Sequence, residues 1–310
     1  MESIIKERHS RIKSLVKSEV SSSEDMLLEL PVCDNIFNSL QNAIKNYILD
    51  CLYEFHSGRS FDPDLSIADL CSDYQDEIML LPNRTPNGLM LPKQEVQCSY
   101  NAVVKHAVRL ASFIGLTDTC EAAYMPLNIR LPWGNPSDAT IQRSHSSVKW
   151  HTDIWAGEWA QSVMLHTPIF GDLEKNGVSF ASPPASFYPD YVRHLDDYNE
   201  GLEAMVGKRD YDVEMEIGKC YLVDSFLLHK TLCGEASFRG ILSFPLKPKQ
   251  KLSSDIYEND QRREDFIPMN SWREFGTKRL VTTTKLLEKY EGGASKSRGY
   301  PDSFNLIKIT

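Results

Sequence analysis

Between Ala123 and Leu246 the chain breaks into short apolar or alternating runs: YMPLNIRLPW, SSVKWHT, QSVMLHTPIF, GVSFAS, DVEMEI, CYLVDSFLLHKTL and FRGILSFPL. They are rich in β-branched and aromatic residues, and turn formers lie between them, which is the pattern of strands. Lys175-Asn176-Gly177 and Ile217-Gly218-Lys219 read as hairpin turns. About seven or eight short strands in one block have few ways to cover their apolar faces, and a double-sheet jelly roll or small barrel is the compact one. One helix is expected inside the block, where Tyr191, Val192, Leu195, Tyr198, Leu202 and Met205 share a face.

The flanks have a different period. In IFNSLQNAIKNYILDCLYEF the apolar residues Ile36, Phe37, Leu40, Ile44, Tyr47, Ile48, Cys51, Leu52 and Phe55 form a helical stripe, and Val103, Val104, Ala107, Val108, Ala111 and Ile114 form another. Ile5, Ile12, Leu15 and Val16 mark a weaker amphipathic helix. Ser21 and Glu24 have capping-box spacing ahead of MLLEL, which reads as a helix start. LPNRTPNGLMLPKQ is loop. After Pro245 the chain turns polar, with a helix expected from Lys278 to Tyr290 and a stop at Gly292-Gly293. The expected fold is mainly β with flanking helices, in one domain over residues 1–310. It has a helical N-terminal flank (1–122), a jelly-roll core (123–247) and a helical C-terminal tail (248–310).

Bulk properties remove several function classes. The chain has 310 residues, 41% hydrophobic and 25% charged, enough for a large buried core. A net charge of −9 argues against a binder that tracks nucleic-acid phosphates. No apolar run approaches the length of a membrane span. The first residues, MESIIKERHSRIKSLVKSEV, are too charged for a signal peptide. Seven scattered cysteines without a CxxC pair fit reduced thiols in the cytoplasm. The sequon at Asn83-Arg84-Thr85 is then accidental.

One stretch carries chemistry: KWHTDIW, with His151 and Asp153 separated by Thr152 and flanked by tryptophans. A solvated turn produces such a step by chance; so do two legs of a metal site. If SSVKWHT is a strand, Ser147, Lys149 and His151 share a face and Asp153 follows at its end. Among the other histidines, His229 stands out on a late strand, with Thr231 on its face and Arg239 on the next strand. If the CGEAS turn joins those strands as antiparallel neighbours, Arg239 comes close to the pocket. Two imidazoles and a carboxylate on one side of a metal leave adjacent positions open, the arrangement of non-haem Fe(II) oxygenases. A 2-oxo acid bound there needs a partner for its far carboxylate, which an arginine fork supplies.

His151-Thr152-Asp153, His229 and Arg239 together resemble the H-x-D…H…R signature of Fe(II)/2-oxoglutarate-dependent dioxygenases. The resemblance covers residues 123–246. It implies a double-stranded β-helix, a cupin-like jelly roll, as the catalytic core. It also implies that His151, Asp153 and His229 are catalytic and bind the metal, Fe(2+), and that Arg239 grips 2-oxoglutarate. Thr231 matches a co-substrate hydroxyl of the phytanoyl-CoA-hydroxylase-like branch. The R-x-S pattern of another branch is absent, because Ile occupies position 241 and Ser243 comes later. The implied cofactors are Fe(2+), 2-oxoglutarate and O2. A carboxylate at 153 disfavours halogenation and leaves hydroxylation, desaturation or ring formation. RLPWGNPSDATIQRSHSSVKWHTDIWAGE and FGDLEKNGVSF further resemble StrG-type proteins of streptomycin gene clusters, implying a small-molecule substrate in secondary metabolism.

Other residues have plainer readings beside the functional ones. Lys149, Trp155 and Trp159 are candidates for contact with the substrate; a solvent-facing lysine and core tryptophans are the alternatives. His166 reads as a hydrogen-bonded strand histidine, and Cys233 as a bystander rather than a soft ligand. Two other functions stay open: a cupin-type metalloenzyme that does not use 2-oxoglutarate, and a non-catalytic jelly-roll binding module. Oligomeric state is not readable.

Overall fold

The computed structural model describes residues 2–183, 189–256, 266–283 and 304–308. The α-helices of five or more residues among the described residues are α1 (Glu2–Leu15), α2 (Asp34–Phe55), α3 (Ile67–Asp73), α4 (Gln75–Met79) and α5 (Gln97–Ile114). The strands are β1 (Ser22–Glu24), β2 (Leu27–Pro31), β3 (Leu89–Met90), β4 (Cys120–Tyr124), β5 (Asn128–Arg130), β6 (Val163–Phe170) and β7 (Val178–Ala181). They continue with β8 (Lys219–Asp224), β9 (Leu228–Thr231), β10 (Gly240–Pro248), β11 (Phe266–Pro268), β12 (Arg279–Thr283) and β13 (Phe304–Lys308).

The fold is mixed α/β with antiparallel sheets. A nine-stranded sheet runs β1-β2-β8-β6-β10-β4-β11, with β5 also on β10 and β3 on β5. β7 and β9 form a separate pair, as do β12 and β13. Strand parity explains what the large sheet does. Val163 and Leu165 of β6, Leu242 and Phe244 of β10, and Ile129 of β5 enter one core with α2 and α5. Their alternate neighbours Met164, His166, Ile241, Ser243, Asn128 and Arg130 line a cavity on the opposite face. That is why every residue of β6 is buried.

The predicted helical stripes hold this face down. Leu40, Ile44, Tyr47, Ile48 and Leu52 of α2 are buried, as are Val103, Val104, Ala107 and Ala111 of α5. Each fully buried side chain of this size contributes roughly 1.5–3 kcal/mol, as an upper bound. α5 ends at Gly115, whose φ of 100° is the left-handed conformation that glycine tolerates. No helix of the described residues is long and apolar enough to cross a membrane. Asn83 is fully buried, its amide donating to the Leu91 carbonyl at 2.9 Å, so the sequon is closed off.

Several local expectations lost to tertiary pairing. MLLEL is not a helix start: it is β2, turned at Met26 with φ 64° and paired along β8, with Leu27, Leu28 and Leu30 buried. The 191–205 helix is absent. Three short 3-10 turns, Pro189–Val192, Tyr198–Gly201 and Glu203–Met205, bury Tyr191, Tyr198 and Met205 instead, with Leu195 buried between the first two and the second opened by an Asp197–Glu200 capping box. The helix from Lys278 is replaced over Arg279–Thr283 by β12, which pairs with β13. Asn101 fixes it through two 2.8 Å bonds with the Val281 backbone. Residues 284–290 of that expected helix lie outside the described residues. DVEMEI is not a strand, and Lys175-Asn176-Gly177 ends a helical turn capped by Asp172 rather than a two-residue hairpin.

α1 is fastened by charge. Arg8 Nε lies 2.9 Å from Asp224 Oδ1, Arg11 Nη2 is 3.1 Å from Asp224 Oδ2, and both arginines reach Asp255 Oδ1 at 3.3 and 3.1 Å. The Arg8 guanidinium also lies 3.5 Å over the Phe226 ring. All are buried. Asp224→Ala should cost roughly 3–5 kcal/mol, because it leaves two buried cations to share the single carboxylate of Asp255. Urea unfolding measures this, and a loss below about 1 kcal/mol would mean the clasp is relieved by water.

Candidate metal and co-substrate site

His151 and His229 are brought together by their backbones. His151 N–H donates to the His229 carbonyl at 3.0 Å, and His229 N–H donates to the His151 carbonyl at 2.8 Å. This is a hydrogen-bonded antiparallel pair, and the two ring centroids are 4.2 Å apart. The other edge of β9 pairs with β7, with Phe180 opposite His229. Asp153 then sits in a tight turn: its carbonyl accepts from Ala156 and Glu158 N–H at 3.1 and 3.0 Å, and Gly157 takes φ 87°. The turn leaves Asp153 Oδ1 3.8 Å from His229 Nε2.

Both rings are held in one tautomer. His151 Nδ1 lies 2.8 Å from the Lys149 carbonyl, and His229 Nδ1 lies 3.2 Å from the Leu227 carbonyl. A carbonyl only accepts, so each Nδ1 carries the proton and each Nε2 keeps its lone pair. This is how metal-binding imidazoles are oriented. Burial, reinforced by His229, holds His151 well below the usual histidine range, and therefore neutral. Its ring stacks on Tyr198 at 4.5 Å. Asp153 Oδ2 is buried without a hydrogen-bond partner. The side chains converge without closing: among the described residues no three His, Cys, Asp or Glu form a group that holds a metal ion as they stand. The donor set and the orphaned carboxylate oxygen nevertheless suit a divalent cation with nitrogen and oxygen ligands.

Arg239 lies on the cavity side, 4% exposed. Its Nη2 donates to Thr231 Oγ1 at 3.1 Å, while Nε and Nη1 are buried without partners. Burial, and secondarily the charge of Arg130, lower its pKa to about 9. It remains a cation at neutral pH with donors left to give, which suits a carboxylate. The route differs from the one expected. β9 and β10 are not neighbours; β9 belongs with β7, and β10 lies between β6 and the β4 and β5 strands. Arg239 and Thr231 meet across the space between the two sheets.

The remaining predicted residues fall elsewhere. SSVKWHT is not a strand: Ser146 and Lys149 close a turn, so the chain touches β9 only at Thr231–Ser147 and at His151. This bulge takes Lys149 off the face of His151, and its ammonium pairs with Asp197 at 3.2 Å. Trp155 is fully buried in a hydrophobic cluster, its Nε1 donating to the Tyr191 carbonyl at 2.8 Å. A Cβ at Gly201 would collide with that indole. Gly201→Ala should therefore destabilise the protein by about 1–3 kcal/mol, read from chemical denaturation. Trp159 is buried beneath Lys247, 3.7 Å from its ring centre, and against Phe266. None of the three lines the cavity.

The cavity has a volume of about 180 Å3, and among the lining residues that the sequence did not mark as functional are Asn128, Arg130 and His166. Asn128 and Arg130 had a signal, being polar at alternate positions within an apolar run. His166 is not the satisfied strand histidine expected, since its Nε2 is buried without a partner. Burial, then His229, Arg130 and Arg239, keep it well below the normal histidine range.

No protein-family model matches the chain. No curated protein matches it either. Solved structures do. An N-substituted L-amino acid dioxygenase from Burkholderia ambifaria AMMD aligns with TM-score 0.40 and 12% identity over 78% of this chain and 87% of that one. SnoN, a non-heme alpha ketoglutarate dependent epimerase from nogalamycin biosynthesis, aligns with TM-score 0.39 and 9% identity over 80% and 84%. EctD from S. alaskensis, solved with 2-oxoglutarate and 5-hydroxyectoine, aligns with TM-score 0.37 and 13% identity over 76% and 80%. At these values the likeness is distant, and the chemistry has to be read from the cavity's own residues.

Proposed function

We propose that this chain is a cytoplasmic Fe(II)- and 2-oxoglutarate-dependent oxygenase acting on a small molecule. Its two facing sheets would be the walls of a double-stranded β-helix within one catalytic domain. The observation that carries the reading is the pairing of two orphaned sets. His151 and His229 present Nε2 lone pairs beside the partnerless Asp153 Oδ2, and a buried Arg239 with unused donors lines the same cavity.

In this reading His151, Asp153 and His229 hold the iron, and Arg239 with Thr231 holds the far carboxylate of 2-oxoglutarate. The chemistry such a centre supplies is oxidation of a substrate C–H bond by O2, coupled to conversion of 2-oxoglutarate into succinate and carbon dioxide. The protein's own tasks are narrower. The Lys149 and Leu227 carbonyls fix the imidazoles, and the Asp153 turn presents its carboxylate. Buried walls exclude water and strengthen each charge interaction. Hydroxylation is the simplest outcome; desaturation and ring formation use the same residues. The StrG-type resemblance favours a place in secondary metabolism.

A cupin-type metalloenzyme without 2-oxoglutarate is the second reading, and Arg239 speaks against it, because that class has no need of a buried guanidinium. The test is anaerobic addition of Fe(II) and 2-oxoglutarate, followed by exposure to O2. A visible metal-to-ligand charge-transfer band and stoichiometric succinate are expected. An iron-loaded protein that gives neither loses this assignment, and activity without 2-oxoglutarate favours the second reading.

A further inference from the structure

A second guanidinium faces the cavity with no assigned anion. The register of β5 against β10 sets Asn128 opposite Ser243 and Arg130 opposite Ile241, and all four line the space. Arg130 is half-buried, and its Nε is buried without a hydrogen-bond partner. Its charge acts on Arg239, disfavouring that cation further after burial has done so. Two cations that raise each other's energy in one small cavity are a standing demand for anions.

A charge count makes the demand specific. Arg130, Arg143 and Arg239 face Asp153 and Glu158 across the cavity. Arg143 is already engaged by the Thr140 carbonyl at 3.3 Å and by Asn87. On the proposed function, a divalent ion and a dianionic co-substrate cancel. One positive charge is left over among the described residues, and Arg130 has a donor to spend. Leu89, Met164, Val178 and Ile241 provide apolar wall beside it.

We infer that the primary substrate is a small carboxylic acid, bound as its monoanion, with Arg130 gripping the carboxylate and the apolar wall receiving the rest. A single planar fork matches a carboxylate better than a phosphate dianion, which draws several cations. The inference rests on the proposed function for the fate of Arg239, and the two can fail separately.

The experiment uses the full chain, loaded with Zn(II) and saturated with 2-oxoglutarate, and saturation-transfer NMR. The probes are hexanoate against hexanamide and phenylacetate against phenylacetamide. The acids should bind about ten- to a hundred-fold more tightly than the amides. Arg130→Met should erase the preference, and Arg130→Lys should keep part of it, which also covers a folding defect in the first variant. In the Fe(II) protein the charge-transfer titration should give Arg130→Met a Kd for 2-oxoglutarate within about three-fold of wild type. Equal binding of acid and amide, or acid binding that ignores Arg130, overturns the inference. So does a rise in the 2-oxoglutarate Kd as large as that of Arg239→Met, which would make Arg130 part of the co-substrate grip. Absence of the band in wild type strikes the proposed function instead, because the acid-over-amide preference is read without it.

Discussion

Asp153→Ala is expected to weaken Fe(II) binding by more than about 100-fold and to abolish the charge-transfer band, while the metal-free protein folds as well as before or better. Changes that only touch the partners of metal ligands cost about 10–100-fold in affinity, so loss of a ligand should exceed that. The stability half follows from geometry. Asp153 Oδ2 is buried with no hydrogen-bond partner, and Oδ1 lies 3.8 Å from His229 Nε2, beyond hydrogen-bond range. Removing it gives up little and relieves a desolvated anion, so apo stability should hold or rise by about 1 kcal/mol. Anaerobic calorimetry with Fe(II) and urea unfolding of the apo protein measure the two halves. A carboxylate that serves the fold would reverse the result: iron retained, stability lost.

Arg239→Met should raise the Kd for 2-oxoglutarate roughly 30- to 5,000-fold, corresponding to about 2–5 kcal/mol for truncating one side of a buried charge pair. Arg239→Lys should recover little, since an ammonium lacks the fork that meets Thr231 and a carboxylate together. The apo protein should again become more stable. Met fills much of the same volume without a cation that burial and Arg130 both disfavour. Titration of the charge-transfer band and urea unfolding separate these effects. Wild-type affinity in Arg239→Met would remove the co-substrate role.

How much of this was readable in the sequence depended on the range of the forces involved. The stripes of α2 and α5 report local periodicity and were found. His151, Asp153, His229 and Arg239 were singled out because residue chemistry narrows the candidates sharply, and the structure brings them to one cavity. Lys149 does not line that cavity. Strand parity assumes an unbroken ladder, and the turn at Ser146–Lys149 breaks it just before His151. MLLEL and the residues after Lys278 have respectable helix signals, yet β8 and β13 offered pairing that no local rule anticipates. Arg130 and His166 were passed over because alternation marks a polar position in an apolar strand but does not say what that position faces.

The reciprocal hydrogen bonds between residues 151 and 229 use only main-chain atoms. Any side chain tolerated at those two positions would hang from the same fixed frame, at the same separation. The framework is thus indifferent to which metal chemistry it carries. Exchanging either imidazole for a thiol or a carboxylate should change the element preferred without redesigning the scaffold, which makes these two positions a natural place to graft a different centre.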